Sequence, residues 1–256
     1  MLSISPAQRA ALVRLRKGHP SLRVVLIGAG ALSVHFPAFR PTADLDLVLV
    51  AALEEFPRLL TRAGWTAHPK VPHRYRTGEG ALFDVLPATD EVLRTTFVRF
   101  QDGVTMSAVG FDLVLGHTIL VAVADDVALE VATAPVLFIL KVVAWLERPL
   151  ARGKDLDDLV YLLEHALDED DDRRWDAEHP VGASGLSFDV QSAFFMGREV
   201  GALCKPAHRA HVTRFLDLVR DPDSASFARM LRVSRALEHD DEYLKRVLGA
   251  FERGVG

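Results

Sequence analysis

The sequence predicts an α+β fold in two parts. A mixed-sheet α/β core over residues 1–125, opened by a short helix, is followed by a helical domain over residues 126–256. Three observations carry that expectation. Apolar runs of strand length recur in the first half, at 22–28, 44–50 and 81–86, and a glycine or an aspartate bounds or interrupts each. Segments of helix length or of loop character separate them. Near residue 125 the texture changes, and beyond Thr133 long segments with helical apolar spacing follow one another.

Taken in order, MLSISPAQRAALVRLRKG alternates apolar and basic residues without a signal peptide's apolar stretch or cleavage site, and reads as a short amphipathic helix. LRVVLIG (22–28) is a buried strand ending in glycine, 29–39 a short helix, and DLDLVLV (44–50) a second strand. Residues 53–64 are helical, with Gly64 as C-cap. WTAHPKVPHRYRTGEG, rich in Pro and Gly, is an exposed loop or an irregular edge strand. ALFDVL (81–86) is a short strand with Asp84 inside it, and 97–123 holds further strands. Thr133 and Pro135 read as N-cap and first-turn proline of the largely buried helix VLFILKVVAWLER. A second helix covers 154–167, an acidic then Gly/Ser-rich linker or mobile loop covers 168–187, and 189–204, 206–220, 224–237 and 240–252 all suit helices.

Composition narrows the class. No apolar run is long enough to span a bilayer, so no membrane role is expected. A single cysteine, Cys204, excludes an intramolecular disulfide and a cysteine-based zinc site, and a cytoplasmic location follows as the default expectation. A net charge of −5 gives no global pull toward nucleic acid. Local basic stretches do occur. One holds Arg58, Arg62, His68, Lys70, His73, Arg74 and Arg76, and another Arg198, Lys205, Arg209, Arg214 and Arg220. Each suits an RNA landing surface or an ordinary solvated face.

The chemistry concentrates at Thr42-Ala43-Asp44-Leu45-Asp46. Strand residues i and i+2 point the same way, so Asp44 and Asp46 project together and could share a hard divalent cation. Asp84, mid-strand in an apolar context, is the natural third carboxylate, placed also to accept a proton from an attacking hydroxyl. The competing reading makes Asp44 a turn cap, Asp46 an exposed strand residue and Asp84 the partner of an arginine. Gly28-Ala29-Gly30 follows a strand and opens a helix, where backbone N–H groups can meet phosphate. A dinucleotide fingerprint is disfavoured, because position 33 is Ser and the acids open the next strand rather than close it.

At this point the chain resembles a known family. A glycine turn, a helix, then Arg40-x-Thr42-x-Asp44-x-Asp46 and a later strand carrying Asp84 look like the nucleotidyltransferase superfamily with a polymerase-beta-like core. A second block, Lys141-x-x-Ala144-x-x-x-Arg148 followed by Lys154-Asp155-x-x-Asp158-Leu159, is similar to the AbiEii/AbiGii-type nucleotidyltransferase toxins. The resemblance covers roughly residues 22–165. Two departures stand in the sequence: Ala29 follows Gly28 where the family has Gly or Ser, and Leu140 precedes Lys141 where the toxins carry Asp.

The resemblance implies a Mg²⁺ (or Mn²⁺) site on Asp44, Asp46 and Asp84, with Asp84 as ligand or base. It implies catalysis assisted by Lys154, and nucleotide binding through Gly28, Gly30, Arg40, Thr42, Lys141, Arg148, Asp155 and Asp158. The implied reaction moves a nucleoside monophosphate from an NTP to an acceptor hydroxyl on RNA, a tRNA end or a protein. A toxin with an antitoxin partner is the implied setting. Transfer to a small molecule such as an aminoglycoside, and a degenerate core that only binds nucleotide or RNA, are the alternatives. The residues of the second block also have a plain physical reading. Lys141, Ala144 and Arg148 share one helix face, Lys141 needs its charge met within an apolar helix, and Asp155 and Asp158 suit the first turn of the next helix.

Overall fold

The computed structural model describes residues 4–100, 102–235 and 240–256, and the sequence readings that touch 1–3, 101 and 236–237 lie outside them. The chain forms two compact units, Met1–Thr133 and Ala134–Gly256.

In the first unit, helix α1 (Pro6–Gly18) starts on a capping box. Ser5 Oγ accepts from the Gln8 N–H and the Gln8 side chain accepts from the Ser5 N–H, so two otherwise orphaned donors are met. Strands β1 (Val24–Ile27) and β2 (Asp44–Leu49) flank α2 (Gly28–His35). A 3-10 turn, Leu53–Glu55, leads into α3 (Phe56–Arg62), and Gly64 takes the left-handed conformation (φ +80°) just past its end. Then come β3 (Trp65–Ala67), β4 (Arg74–Thr77), β5 (Leu82–Pro87), α4 (Asp90–Thr95), β6 (Phe97–Arg99), β7 (Thr105–Ser107), α5 (Phe111–Gly116), β8 (Thr118–Ala124) and β9 (Val127–Ala132).

Seven strands form one mixed sheet in the order β3-β4-β5-β2-β1-β9-β8, and β6 and β7 pair separately. β2 runs parallel to β5 and β1 parallel to β9, while the other neighbours are antiparallel. The Pro- and Gly-rich stretch after Gly64 thus supplies an edge strand and its neighbour, with Pro69 and Pro72 confined to the link between them. The short helices α4 and α5 interrupt what the sequence suggests are successive strands. Thr89 starts α4 by accepting from the Val92 N–H, a cap visible in the sequence once the helix is known. β9 falls after the 125/126 boundary expected from the sequence, buries Val127, Leu129 and Val131 by alternation, and joins the sheet.

The second unit holds α6 (Ala134–Glu147), α7 (Gly153–His165), α8 (Phe188–Leu203), α9 (Pro206–Val219), α10 (Ala225–Val233) and α11 (Asp241–Val255). Its core is aromatic: Phe138 lies 4.8 Å from Phe251, and Trp145 meets Phe215 edge-on at 5.8 Å between ring centres. Thr133 is not the side-chain cap of α6, since its buried Oγ1 has no hydrogen-bond partner among the described residues. Nor is 168–187 a loose linker. Arg174, 5 % exposed, donates to the carbonyls of Leu167, Asp168 and Phe188 at 2.7, 2.7 and 3.0 Å and ties the loop to the ends of α7 and α8.

Candidate active site

Parallel pairing of β2 with β5 sets Asp46 opposite Asp84, and antiparallel pairing of β4 with β5 sets Arg74 opposite Asp84. Registered neighbours in a sheet point to the same face, so Arg74, Asp84 and Asp46 form a row across three strands, with Asp44 two residues along β2 on the same face. The opposite face of these strands is apolar and buried, through Tyr75, Phe83, Leu45 and Leu47. That alternation fixes the register, because a one-residue slip would bury the charges.

Arg74 is the centre of the row. Its Nε donates to Asp84 Oδ1 at 2.7 Å, and its Nη2 donates to Asp84 Oδ2 at 2.7 Å and to Asp44 Oδ2 at 3.1 Å. The hydrogen bonds to Asp84 hold the Arg74 pKa above its ordinary value against the opposing effect of burial, and the charges of Asp84, Asp44 and Asp46 add to this. Thr42 Oγ1 donates to Asp44 Oδ1 at 3.0 Å and orients that carboxylate. His73 Nε2 lies 3.8 Å from Asp84 Oδ2.

The glycine turn meets the row at Asp46. Gly28 opens α2 with φ +67°, and a Cβ built there would stand 2.0 Å from Asp46 Oδ2. Gly30 answers a different need: its Cβ would meet Leu45 Cδ2 at 2.4 Å, so its bareness lets α2 pack against β2. Ser33 Oγ donates back to the Gly30 carbonyl at 2.8 Å and closes the turn. Arg40 lies over the Phe39 ring, 5.4 Å from its centre.

The remaining sequence-identified residues belong to the second unit. Lys141 Nζ lies 2.7 Å from both Asp155 Oδ1 and Asp158 Oδ2, with side-chain exposures of 12, 9 and 1 %. Arg152 Nη1 adds a bond to Asp155 Oδ2 at 3.2 Å. Burial pushes the lysine pKa down, but Asp155 and Asp158 outweigh it and the net shift is upward. The charge of Lys141 is therefore met inside the helical unit. Arg148 falls one residue past the end of α6 and is exposed, so it does not share the setting of Lys141. Lys154, on the first turn of α7, is exposed. Much of the second basic stretch is engaged: Arg209 bonds the Val255 carbonyl at 3.0 Å and Arg220 pairs with Glu252.

Arg74 is the residue that sequence reasoning passes over, since it reads as one cation of a basic stretch. Its signal is the Gly78-Glu79-Gly80 turn, which is centred midway between residues 74 and 84 and pairs them across a hairpin.

The chemistry of the donor set suits a hard divalent cation. Three carboxylates stand on neighbouring strands, and the field they create already draws a guanidinium to its middle. Among the described residues no three His, Cys, Asp or Glu side chains are grouped so that they could hold a metal ion, and Asp44 and Asp84 both pair with Arg74.

The mixed sheet carries the glycine turn at the end of β1 and the acidic row on β2 and β5, the order of features expected from the nucleotidyltransferase resemblance. The sequence matches, over residues 10–246, the family model described as nucleotidyl transferase AbiEii toxin of a Type IV toxin–antitoxin system, and the chain belongs to that family. Among solved structures, an antigenic nucleotidyltransferase-like protein from Paracoccidioides brasiliensis shares 11 % identity at a TM-score of 0.47, over 89 % of this chain and 92 % of that one. A search of curated proteins returns no match. Among the described residues no helix is long and apolar enough to cross a membrane.

Proposed function

We propose that this chain is a divalent-cation-dependent nucleotidyltransferase that moves a nucleoside monophosphate from an NTP to an acceptor hydroxyl on RNA, a tRNA end or a protein. The observation that carries the reading is the acidic row, with Asp44, Asp46 and Asp84 on the paired strands β2 and β5 beside the Gly28 turn. Asp44, Asp46 and Asp84 would hold Mg²⁺ or Mn²⁺, which supplies countercharge to the triphosphate and lowers the pKa of the attacking hydroxyl.

The chain's own groups then divide the work. Thr42 fixes the rotamer of Asp44 through its hydroxyl bond. The bare backbone at Gly28 makes room for the Asp46 carboxylate, and the N-terminus of α2 that it opens favours the negative charge of the phosphate chain. The acceptor oxygen attacks the α-phosphorus, the bond from that phosphorus to the bridging oxygen breaks, and pyrophosphate leaves. The acceptor's proton passes to the Asp84 carboxylate. Arg40, Arg148 and Lys154 are assigned to phosphate charge on the family resemblance. A toxin role with an antitoxin partner is the biological setting that the family suggests.

The test is incubation of purified protein with Mg²⁺ or Mn²⁺ and each labelled NTP against total RNA, tRNA and cell lysate. Label should appear in an RNA or protein product with the wild type and be lost with Asp46→Ala, whose fold is checked by circular dichroism. Wild-type protein that labels nothing with any NTP would count against transfer activity.

A further inference from the structure

We infer that Arg74 is a built-in competitor of the catalytic cation: it clamps Asp84 and Asp44, and divalent-metal binding must displace it. The inference rests on the metal reading above and adds to it a residue with a defined cost. Both oxygens of Asp84 are engaged by the same guanidinium, at 2.7 Å each, in the fork geometry that makes arginine–carboxylate pairs strong. The bridge from Nη2 to Asp44 Oδ2 then spans the two strands that would hold the cation. A metal that ligates Asp84 competes directly with this fork.

The geometry also lets the clamp open. The Arg74 backbone is fixed, with its N–H on the Val71 carbonyl at 3.0 Å and its carbonyl accepting from the His68 N–H at 2.7 Å. Its side chain, by contrast, is 31 % exposed, so the guanidinium can leave without moving β4. Arg74 thereby keeps three clustered carboxylates from repelling one another when no cation is bound, and it sets a threshold of metal concentration for activity. Lysine would serve poorly, because an ammonium cannot hold both oxygens of Asp84 and reach Asp44 in one planar fork.

The test is Mn²⁺ titration of the full chain, followed by the paramagnetic resonance of free Mn²⁺, for wild type and Arg74→Gln. Removing a competing unit charge a few ångströms from the site should tighten the Mn²⁺ Kd by about tenfold. In parallel, the Arg74 Nε–H resonance of the wild type should move toward the position of a free arginine as Mg²⁺ saturates, a readout that does not need the variant to fold. Equal or weaker Mn²⁺ affinity in a folded Arg74→Gln protein, or an Nε–H signal unmoved by saturating Mg²⁺, overturns the clamp while leaving the metal site standing. Absence of Mn²⁺ binding by wild type and variant alike removes the metal reading and the clamp together.

Discussion

Gly28 and Asp46 are in such close approach that a single added methyl on the glycine would stand 2.0 Å from the carboxylate oxygen Oδ2. This contact joins the glycine turn to the acidic row, and it makes position 28 intolerant for two reasons. A non-glycine residue at φ +67° is strained by about 1–2 kcal/mol, and its Cβ must push Asp46 aside. Gly28→Ala should keep the fold, with a modest loss of stability in urea titration. It should lower transfer activity at least about 100-fold, the scale of loss expected from an ångström of misplacement. Near-wild-type activity in this variant would show that Asp46 need not sit where the turn holds it.

The triad of Lys141, Asp155 and Asp158 is mostly structural in its energetics. Breaking a buried ion cluster by removing one partner costs about 3–5 kcal/mol, so Lys141→Met should lower unfolding free energy by that order in denaturant titration. The pH dependence has a definite sign. The lysine's folded-state pKa lies above its unfolded value, because Asp155 and Asp158 outweigh burial. Its stabilisation is therefore fully present below the ordinary lysine range and is lost as pH rises through the raised value. Wild-type stability should fall in that alkaline window, and the fall should be smaller in Lys141→Met.

Glu164 on α7 has the same linkage sign, in the acid range and with a different cause. Burial raises its pKa, although its Oε1 accepts from the Arg235 N–H at 2.8 Å and the Tyr243 hydroxyl at 3.2 Å. The folded protein then binds the proton more tightly than the unfolded chain. Stability contributed at this position is present at pH below the ordinary glutamate value and falls as pH rises toward the folded value. Glu164→Gln keeps an oxygen that can accept both bonds. It should be neutral or stabilising at pH 7, by on the order of 1 kcal/mol, and should flatten the acid limb of a stability–pH curve.

Two glycines of the helical unit give a paired test of packing. A Cβ at Gly197 on α8 would stand 2.1 Å from the Phe251 carbonyl oxygen of α11, whereas one at Gly249 on α11 meets nothing within 4 Å. Gly197→Ala should destabilise by about 1–3 kcal/mol through forced separation of the helices. Gly249→Ala should stabilise by up to about 1 kcal/mol through helix propensity alone. Thermal melts of the two variants should shift in opposite directions.

Local pattern makes much of this fold legible in the sequence. Alternation in DLDLVLV places Asp44 and Asp46 on one face, the apolar context of Asp84 marks it as a residue needing a partner, and the periodic helices from 134 onward read directly. Pairing between distant segments is harder to see. β9 is a six-residue strand whose hairpin with β8 is local, but its pairing with β1, about a hundred residues earlier, has no local signal. Arg74 is hidden for a related reason. Only the register of the β4–β5 hairpin tells that it faces Asp84 rather than solvent. Gly30 resembles a phosphate-binding glycine by spacing, yet its contact with Leu45 is visible only when α2 packs on β2.

The central claim is that the acidic row carries nucleotidyl transfer, and the most direct measurement is metal-dependent incorporation of label from an α-labelled NTP into an RNA or protein acceptor, compared between wild type and Asp46→Ala. Product should form with Mg²⁺ or Mn²⁺ for the wild type, and none should form with chelator or with a folded Asp46→Ala protein. Incorporation that persists undiminished in Asp46→Ala would contradict that claim.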